Sequence, residues 1–432
     1  MTRWTNWAGT ATANPRRVHT PRSVAEIASV VTNAAVENRR VRVWGSGHSF
    51  TPIAVTESDA IDLRNWTGVA SVDKPAGSVT VRAGTTLRAL NAELDRLGLA
   101  MTNLGDIDAQ TIAGAVSTGT HGTGARFGGL ATQITALELV LADGSVVTCS
   151  AERRPDLFAA ARVGLGALGV ISSVTLKCEP AYVLAAEERP EPLEQVLETF
   201  HDQADSNDHF EFYWFPYGRN ALVKRNNRQP AGSEPRPLSK ARQFVDYRIM
   251  ENTAFGTLCR AGRAVPGLVR PLGRLASNLL SAREYSDRSH RVFVTHRAVR
   301  FVESEFAVPR ESVHDVLAEL RALVPRLENP VAFPVEVRVA AADDIWLSTA
   351  YGRDSAYIAV HQFVGMPYRE YFAGFAAIAG EAGGRPHWGK MHDLDANALR
   401  ERYPRFDDFL KVRKDVDPNG VFGNEYLERV LG

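Results

Sequence analysis

The residues of this chain whose types and spacing could do chemistry gather first around two glycine-rich stretches. One is Arg40-Val-Arg-Val-Trp-Gly45-Ser46-Gly47-His48-Ser49-Phe50. Without a Cβ, Gly45 and Gly47 admit positive φ and allow the backbone to come close to a bulky neighbour. Such a turn presents a row of N–H groups, the arrangement that cradles phosphates and other anions. It also delivers the His48 imidazole to whatever is held there. Taken alone, the same residues read as a tight turn with a solvated histidine. The second stretch runs Gly105-Asp106-Ile-Asp-Ala-Gln-Thr-Ile-Ala-Gly114-Ala-Val-Ser117-Thr-Gly119-Thr120-His121-Gly122-Thr-Gly124. It is too poor in large side chains to build a core, but a ligand can lie against it. Its apolar anchor (Ile112, Ala113, Ala115, Val116) and sparse charge set it apart from a flexible linker. The spacing of Gly119, Gly122 and Gly124 runs the wrong way for a dinucleotide fingerprint, and no phosphate-binding G-x-x-x-x-G-K-[ST] loop occurs.

The C-terminal half carries a second set. Glu336 and Arg338, in Phe333-Pro-Val-Glu-Val-Arg-Val-Ala340, point to one face of a strand while Val335, Val337 and Val339 point to the other. If that face is open, they form a solvated ion pair. If it is enclosed, a buried carboxylate and guanidinium must be paired or used. His361 lies on a neighbouring strand pattern, Tyr357-Ile-Ala-Val-His-Gln-Phe363, and Lys390 ends Arg385-Pro-His387-Trp-Gly-Lys390. Two other chemistries are weaker matches. Ala115-Val-Ser117-Thr-Gly119 imitates a nucleophile elbow without strand–turn–helix context or a placed acid. His387, His392 and Asp393 have no H-E-x-x-H spacing, and no metal is expected.

The elements that must position these residues are a mixture of helix and strand. A capping box, Ser23-Val-Ala-Glu26, opens a helix expected to end near Asn38, and the strand into the His48 turn follows. Strands are expected at Ala60–Leu63, Ser78–Arg82 and Val170–Cys178, with a helix capped by Thr85 or Thr86 and stopped at Gly98. Leu137–Cys149 reads as a hairpin turning on Asp143-Gly144 in type I′ geometry, and Asp156–Ala161 as a short helix. Further on, Asp208–Phe215 and Arg297–Glu303 read as strands and Arg225–Lys240 as a long loop. Ala261–Arg283, Glu311–Leu327 and Leu399–Val412 read as helices.

At 432 residues two domains are the default. A balance of 50 Lys+Arg against 50 Asp+Glu leaves no net field to recruit nucleic acid or an anionic membrane. Three separated cysteines (Cys149, Cys178, Cys259) cannot form a disulfide framework or a Cys₄ zinc site, and fit a reducing cytoplasm. The N-terminus has no apolar signal core, and the most apolar stretch, Leu157–Val174, carries Arg162 and several glycines, so no transmembrane segment is expected.

Together, Gly45-Ser-Gly-His-Ser-Phe50, Ser117-Thr-Gly-Thr-His-Gly-Thr-Gly124 and Ala167-Leu-Gly-Val170-Ile171 resemble the FAD domain of the vanillyl-alcohol-oxidase superfamily. The similarity extends over essentially the whole chain and is strongest to the sugar-1,4-lactone and alditol oxidoreductase branch. The resemblance implies an α+β fold. A two-subdomain FAD-binding domain (1–180) would be followed by an α+β cap domain with a sheet over the flavin (181–385), and 386–432 would return to the FAD domain. It implies FAD contacts from the two glycine stretches (Gly45 to Ser49; Gly105, Gly114, Ser117 and Gly119 to Gly122, with Gly124), from Val170 and Ile171, and from His387 and Lys390. His48 matches the family's flavinylated histidine. Glu336 and Arg338 match its substrate-side pair, Lys390 approaches the substrate oxygen and the flavin, and His361 is a candidate base. The implied reaction is hydride transfer from a sugar-derived hydroxyl to flavin, with O₂ or another acceptor following. Gly105 stands where a small residue leaves O₂ a route to the flavin. The alditol oxidases carry serine at the position of Asp106 and threonine at that of Phe363. These two substrate-side departures favour an aldono-1,4-lactone such as L-gulono-1,4-lactone over an alditol.

Overall fold

A computed structural model describes residues 3–295 and 297–432, and it shows two hydrophobic cores under two kinds of sheet. The N-terminal third builds a three-stranded parallel sheet in the order Arg17–His19, Asp59–Asp62, Val41–Trp44. Beside it stands a five-stranded antiparallel sheet in the order Val146–Ser150, Ile134–Val140, Val170–Lys177, Ser78–Arg82, Val69–Asp73. The capping box forms as its sequence dictates: Ser23 Oγ accepts from the Glu26 N–H, and Val24–Val36 is helical. Thr86, rather than Thr85, caps Leu87–Leu97, which ends on Gly98 at φ 75°.

The strand into the His48 turn is covered on both faces. Val41, Arg42 and Trp44 are all buried. The Arg42 guanidinium donates to the carbonyls of Ile53, Leu165, Gly166 and Phe422 at 2.6–3.0 Å. Burial lowers its pKa to about 10, so it stays charged at neutral pH and ties three loops together beneath the glycine turn. Phe422 belongs to the C-terminal turn, where the Val41 N–H also donates to the Val421 carbonyl and Asn424 Nδ2 to the carbonyls of Pro52, Ile53 and Val55. Trp388, Phe409, Phe422 and Leu427 accordingly pack in the first core, and so do Ile345, Trp346 and Leu347.

The second core lies under an eight-stranded antiparallel sheet. Its strand order is Arg283–Arg288, Val183–Pro192, Asn220–Arg228, His209–Trp214, Val335–Ala340, Ser355–Phe363, Phe301–Pro309, Arg385–Pro386. Alternation sorts its two faces. Phe210, Phe212, Val335, Val337, Phe306, Ile358 and Val360 join the apolar core with the helices Val313–Leu323 and Arg369–Glu381. The opposite face carries charged and hydroxylated side chains toward the glycine-rich stretches.

Several local expectations are corrected. Gly144 adopts φ 82° but Asp143 does not have positive φ, and the Gly144 N–H bonds to the Leu141 carbonyl. The hairpin therefore closes through a three-residue loop with glycine in the left-handed position, not a type I′ turn. Asn220–Arg228 continues the large sheet, so the expected loop begins only after Arg228. Ala261–Arg283 is broken: Phe255–Ala264 and Val269–Asn278 are helices separated at Pro266, preceded by a π-helix over Phe244–Ala254. The tail splits at Pro404 into Ala396–Arg400 and Phe406–Val416, since proline cannot continue the first helix. The strand expected from Arg297 starts only at Phe301. No helix among the described residues is long and apolar enough to cross a membrane.

Candidate active site

The two glycine stretches face each other across a groove. Gly45 to Ser49 form one wall of a cavity of about 100 Å³, with Gly114, Ser117, Thr118, Gly166, Gly169 and Ile171 opposite. Its walls are backbone and small side chains, packed so closely that a Cβ on Gly45 would stand 2.7 Å from Thr111 Oγ1. Outward, past Gly45 and Ser46, it meets a hollow of about 620 Å³ bordered by Gly68, Thr85 and Glu93. Inward it meets a cavity of about 90 Å³, and His48, Ser49, Gln110 and Thr118 line both. His48 therefore stands at the junction. Its ring stacks on Trp7 at 5.9 Å and makes no hydrogen bond among the described residues. Burial lowers its pKa, so the imidazole is neutral at pH 7.

The inner cavity ends on the charged face of the large sheet, and register explains the cluster there. Glu211 lies directly opposite Arg338, and Tyr213 opposite Glu336. The Arg338 Nε donates to Glu211 Oε2 at 2.7 Å, and its Nη2 contacts both Asp106 Oδ1 and Glu336 Oε1. Tyr213 donates its hydroxyl to Glu336 Oε1 at 2.7 Å and accepts from Arg297 Nη2 at 3.0 Å. Arg297 also grips Asp106 Oδ2. Burial alone would raise the Asp106 pKa, but the Arg338 and Arg297 guanidiniums reverse that and hold it well below the usual carboxylate range. Burial would likewise discharge Arg338, and the surrounding carboxylates instead push its pKa well up. Two groups stay uncommitted. Arg338 Nη1 has no hydrogen-bond partner among the described residues, and neither has Glu336 Oε2, which lies 3.9 Å from His361 Nε2.

A second charged group adjoins the first. Lys390 Nζ lies 2.6 Å from Glu303 Oε1 and 2.7 Å from Glu305 Oε2, and Glu305 Oε1 is 2.8 Å from His121 Nε2. Burial would lower the Lys390 pKa, but the two carboxylates raise it to about 12. The ammonium is therefore fixed as a cation with one N–H left over. His387 lines the same cavity, accepts from the Gly389 N–H at 3.1 Å, and is pushed down to about 3 by burial and then by Lys390. Carboxylates and histidines that come close enough to share a metal ion already have Lys390 or Arg338 among them, a poor electrostatic setting for another cation. His392 is turned away against Tyr426.

The structure thus brings Gly45, Ser46, Gly47, His48, Ser49, Gly114, Ser117 and Ile171 to the groove. Gly105, Asp106, Thr120, His121, Glu336, Arg338, His387 and Lys390 line the inner cavity. It does not bring in the other residues. Gly119 takes φ 79° outside the groove wall, and Gly122 is a close-approach position whose Cβ would sit 2.2 Å from the Leu104 carbonyl oxygen. Gly124 bonds through its N–H to the Val339 carbonyl, joining the glycine stretch to the large sheet. Val170 is buried in the core. Phe363 is kept off the inner cavity: it pairs in register with Phe301, stacks near Phe333 and lies under Arg263. His361 sits behind the Glu303 and Glu336 carboxylates, its Nδ1 3.0 Å from the Pro334 carbonyl, and does not line the inner cavity. Asp106 is committed to two arginines, Arg297 and Arg338. Sequence reasoning missed Glu211, Tyr213, Arg297, Glu303 and Glu305. The only local signal was strand alternation: Glu211 and Tyr213 sit between apolar residues of one strand and Glu303 and Glu305 share one face of another, while Arg297 lies ahead of its strand with no such signal.

Compared with known proteins, residues 15–150 match the FAD binding domain family and residues 174–430 the D-arabinono-1,4-lactone oxidase family. The L-gulono-1,4-lactone dehydrogenase of Mycobacterium tuberculosis is 45% identical over 429 residues, covering 99% of each chain. The L-gulonolactone oxidase of Mus musculus is 36% identical over 433 residues, covering 99% of this chain and 97% of its own. Among solved structures, a cholesterol oxidase from B. sterolicum superposes with TM-score 0.84 at 18% identity, covering 100% of this chain and 96% of that one, which shows the shared fold.

Proposed function

Because the chain belongs to the D-arabinono-1,4-lactone oxidase family of FAD-binding oxidoreductases, we propose that it oxidises a ring hydroxyl of an aldono-1,4-lactone such as L-gulono-1,4-lactone. The groove fits FAD: a long, backbone-walled channel ends beside an uncharged, unbonded imidazole at the edge of a charged cavity. Bound there, FAD supplies the hydride acceptor, and the protein supplies binding, orientation and charge. His48 is the proposed point of covalent attachment, its free nitrogen lone pair being what such a bond requires.

The observation that carries the reading is the pair of fixed cations at the inner end of the groove. When hydride leaves a carbinol carbon, negative charge builds on its oxygen, and preorganised donors aimed at that oxygen lower the barrier. Arg338 Nη1 and the remaining Lys390 N–H are the free donors of this kind. Neither serves as a base, since their carboxylate partners keep both charged. Glu336 Oε2 is free to accept a hydrogen bond from a substrate hydroxyl, while Tyr213 and Arg338 fix its other oxygen. His361 acts through Glu303 and Glu336, as a positioning residue.

The test is anaerobic mixing of the purified protein with L-gulono-1,4-lactone and, separately, with xylitol, following the flavin's visible absorbance. Bleaching by the lactone is expected, and admission of air then shows whether O₂ is an acceptor. Bleaching by xylitol alone would replace the lactone reading with an alditol one. For His48→Ala, acid precipitation should release the flavin into the supernatant while the parent retains it in the pellet. Release from the parent would refute the covalent link.

A further inference from the structure

Behind the inner cavity lies a larger and different one. It has a volume of about 280 Å³, toward the lower end for ligand sites. Leu222, Phe255, Leu258 and Phe333 give it apolar walls, and Arg297 and Phe301 line both it and the inner cavity. One layer of side chains thus separates the two. The other end reaches the surface at Met250 and Leu279, which line the cavity yet are 44% and 55% exposed. Of eleven large apolar side chains exposed among the described residues, eight fall between Phe244 and Leu279, the segment that frames this mouth.

The polar groups of this cavity select among ligands. Its acids are already neutralised: Glu188 and Glu251 pair with Arg283 at 2.7 and 2.8 Å, and Asp246 with Arg242 at 2.7 Å. Donors remain at the inner end. Thr295 Oγ1 is buried without a partner, and its backbone N–H bonds to the Asp106 carbonyl at 3.1 Å, which fixes it beside the substrate-side cluster. Lys224 and Arg297 line the same end. A polyol or lactone would lose most of its hydrogen bonds to water on entering so apolar a space. A flat apolar ring whose only polar atoms are carbonyl acceptors meets both its walls and its donors.

We propose that this cavity binds a quinone and that the quinone is the oxidant that returns the flavin to its working state. The inference rests on the reading of the chain as an FAD-dependent alcohol oxidoreductase. In the balanced reaction, the substrate CH–OH becomes C=O, giving up two electrons and two protons. The quinone takes up both, its two carbonyl groups becoming hydroxyls, and the flavin is unchanged over the cycle. The mouth at Met250 and Leu279 admits the apolar acceptor while the sugar uses the polar cavity. Substrate and oxidant then have separate sites and need not displace one another.

The probe is 1,4-naphthoquinone with the holoprotein. Equilibrium dialysis should show one saturable site in the parent, weakened at least tenfold in Leu258→Trp, which fills the cavity. Ala254→Phe, at another wall, is the second variant should the first fold poorly. In a separate arm the flavin is photoreduced anaerobically, without sugar, and mixed with naphthoquinone. Reoxidation should slow at least tenfold in the filled variants, while the rate of bleaching by lactone matches the parent's. No binding to the parent, or equal binding and reoxidation in the filled variants, would overturn the proposal. Binding lost with reoxidation unchanged would do the same, since the oxidant would then act elsewhere. Failure of the lactone to bleach the flavin would count against the substrate reading alone, because the photoreduction arm does not depend on it.

Discussion

Replacing Lys390 by methionine removes one cation from between two buried carboxylates and keeps most of the side chain's volume. Glu303 and Glu305 then face each other with the partner that sat 2.6 and 2.7 Å away gone. In the parent, burial would raise both carboxyl pKa values, and Lys390 with the nearby histidines brings them below the model-compound value of 4.5. An unpaired buried carboxylate costs about 3–5 kcal/mol, but the variant has an escape, since one carboxyl can take a proton. Protonating a group of ordinary pKa 4.5 at pH 7 spans 2.5 units, or about 3.4 kcal/mol at 1.36 kcal/mol per unit. The expected destabilisation at pH 7 is therefore about 3 kcal/mol. The sign with pH follows. In the parent these depressed groups contribute stability that is present above the unfolded pKa and lost as pH falls through the lower folded values. In the variant one carboxyl has a raised folded pKa, so its contribution is present below the unfolded pKa and lost as pH rises through the folded one. From pH 7 to pH 5 the parent should be flat in these groups while the variant gains, closing the gap by up to about 1.4 kcal/mol per unit. Urea denaturation of both holoproteins at pH 5, 6 and 7 measures it. A gap of the same size at all three pH values would refute the electrostatic account of Lys390.

Three further outcomes are expected. Arg338→Ala should slow anaerobic flavin reduction by the lactone by about 10²–10³-fold, the usual loss for one transition-state donor, with flavin content unchanged; equal reduction rates in stopped flow would remove it from the mechanism. Gly122→Ala should destabilise the fold by about 1–3 kcal/mol or more in thermal or urea melts, because the new Cβ meets the Leu104 carbonyl at 2.2 Å and Asn103 Oδ1 at 2.5 Å. Phe363→Thr should leave the ratio of lactone to xylitol reduction rates within about twofold, roughly 0.4 kcal/mol, since Phe301 and Phe333 stand around that ring; a large swing toward xylitol would show that it reaches the substrate.

Much of this protein was decided by sequence-local physics. Gly47 takes φ 71° as its place in the turn requires. The Ser23 and Thr86 caps form from residues three apart. Glu336 and Arg338 share a strand face by the period of two, whatever else the chain does. Sequence periodicity could not say whether that face was open or enclosed, because burial depends on what is laid across it. The tertiary structure encloses it, and pairing register then chooses its partners: Glu211 opposite Arg338, Tyr213 opposite Glu336, Glu303 opposite His361. A slip of one residue in any of those strands would have sent the same side chains into the apolar core. Asp106 and Arg338 are 232 positions apart, and Lys390 and Glu305 are 85 apart. A carboxylate's charge state is set by the cations within a few ångströms of it. No window of sequence holds those distances, so the groove was written in the chain and its chemistry was settled only by the fold.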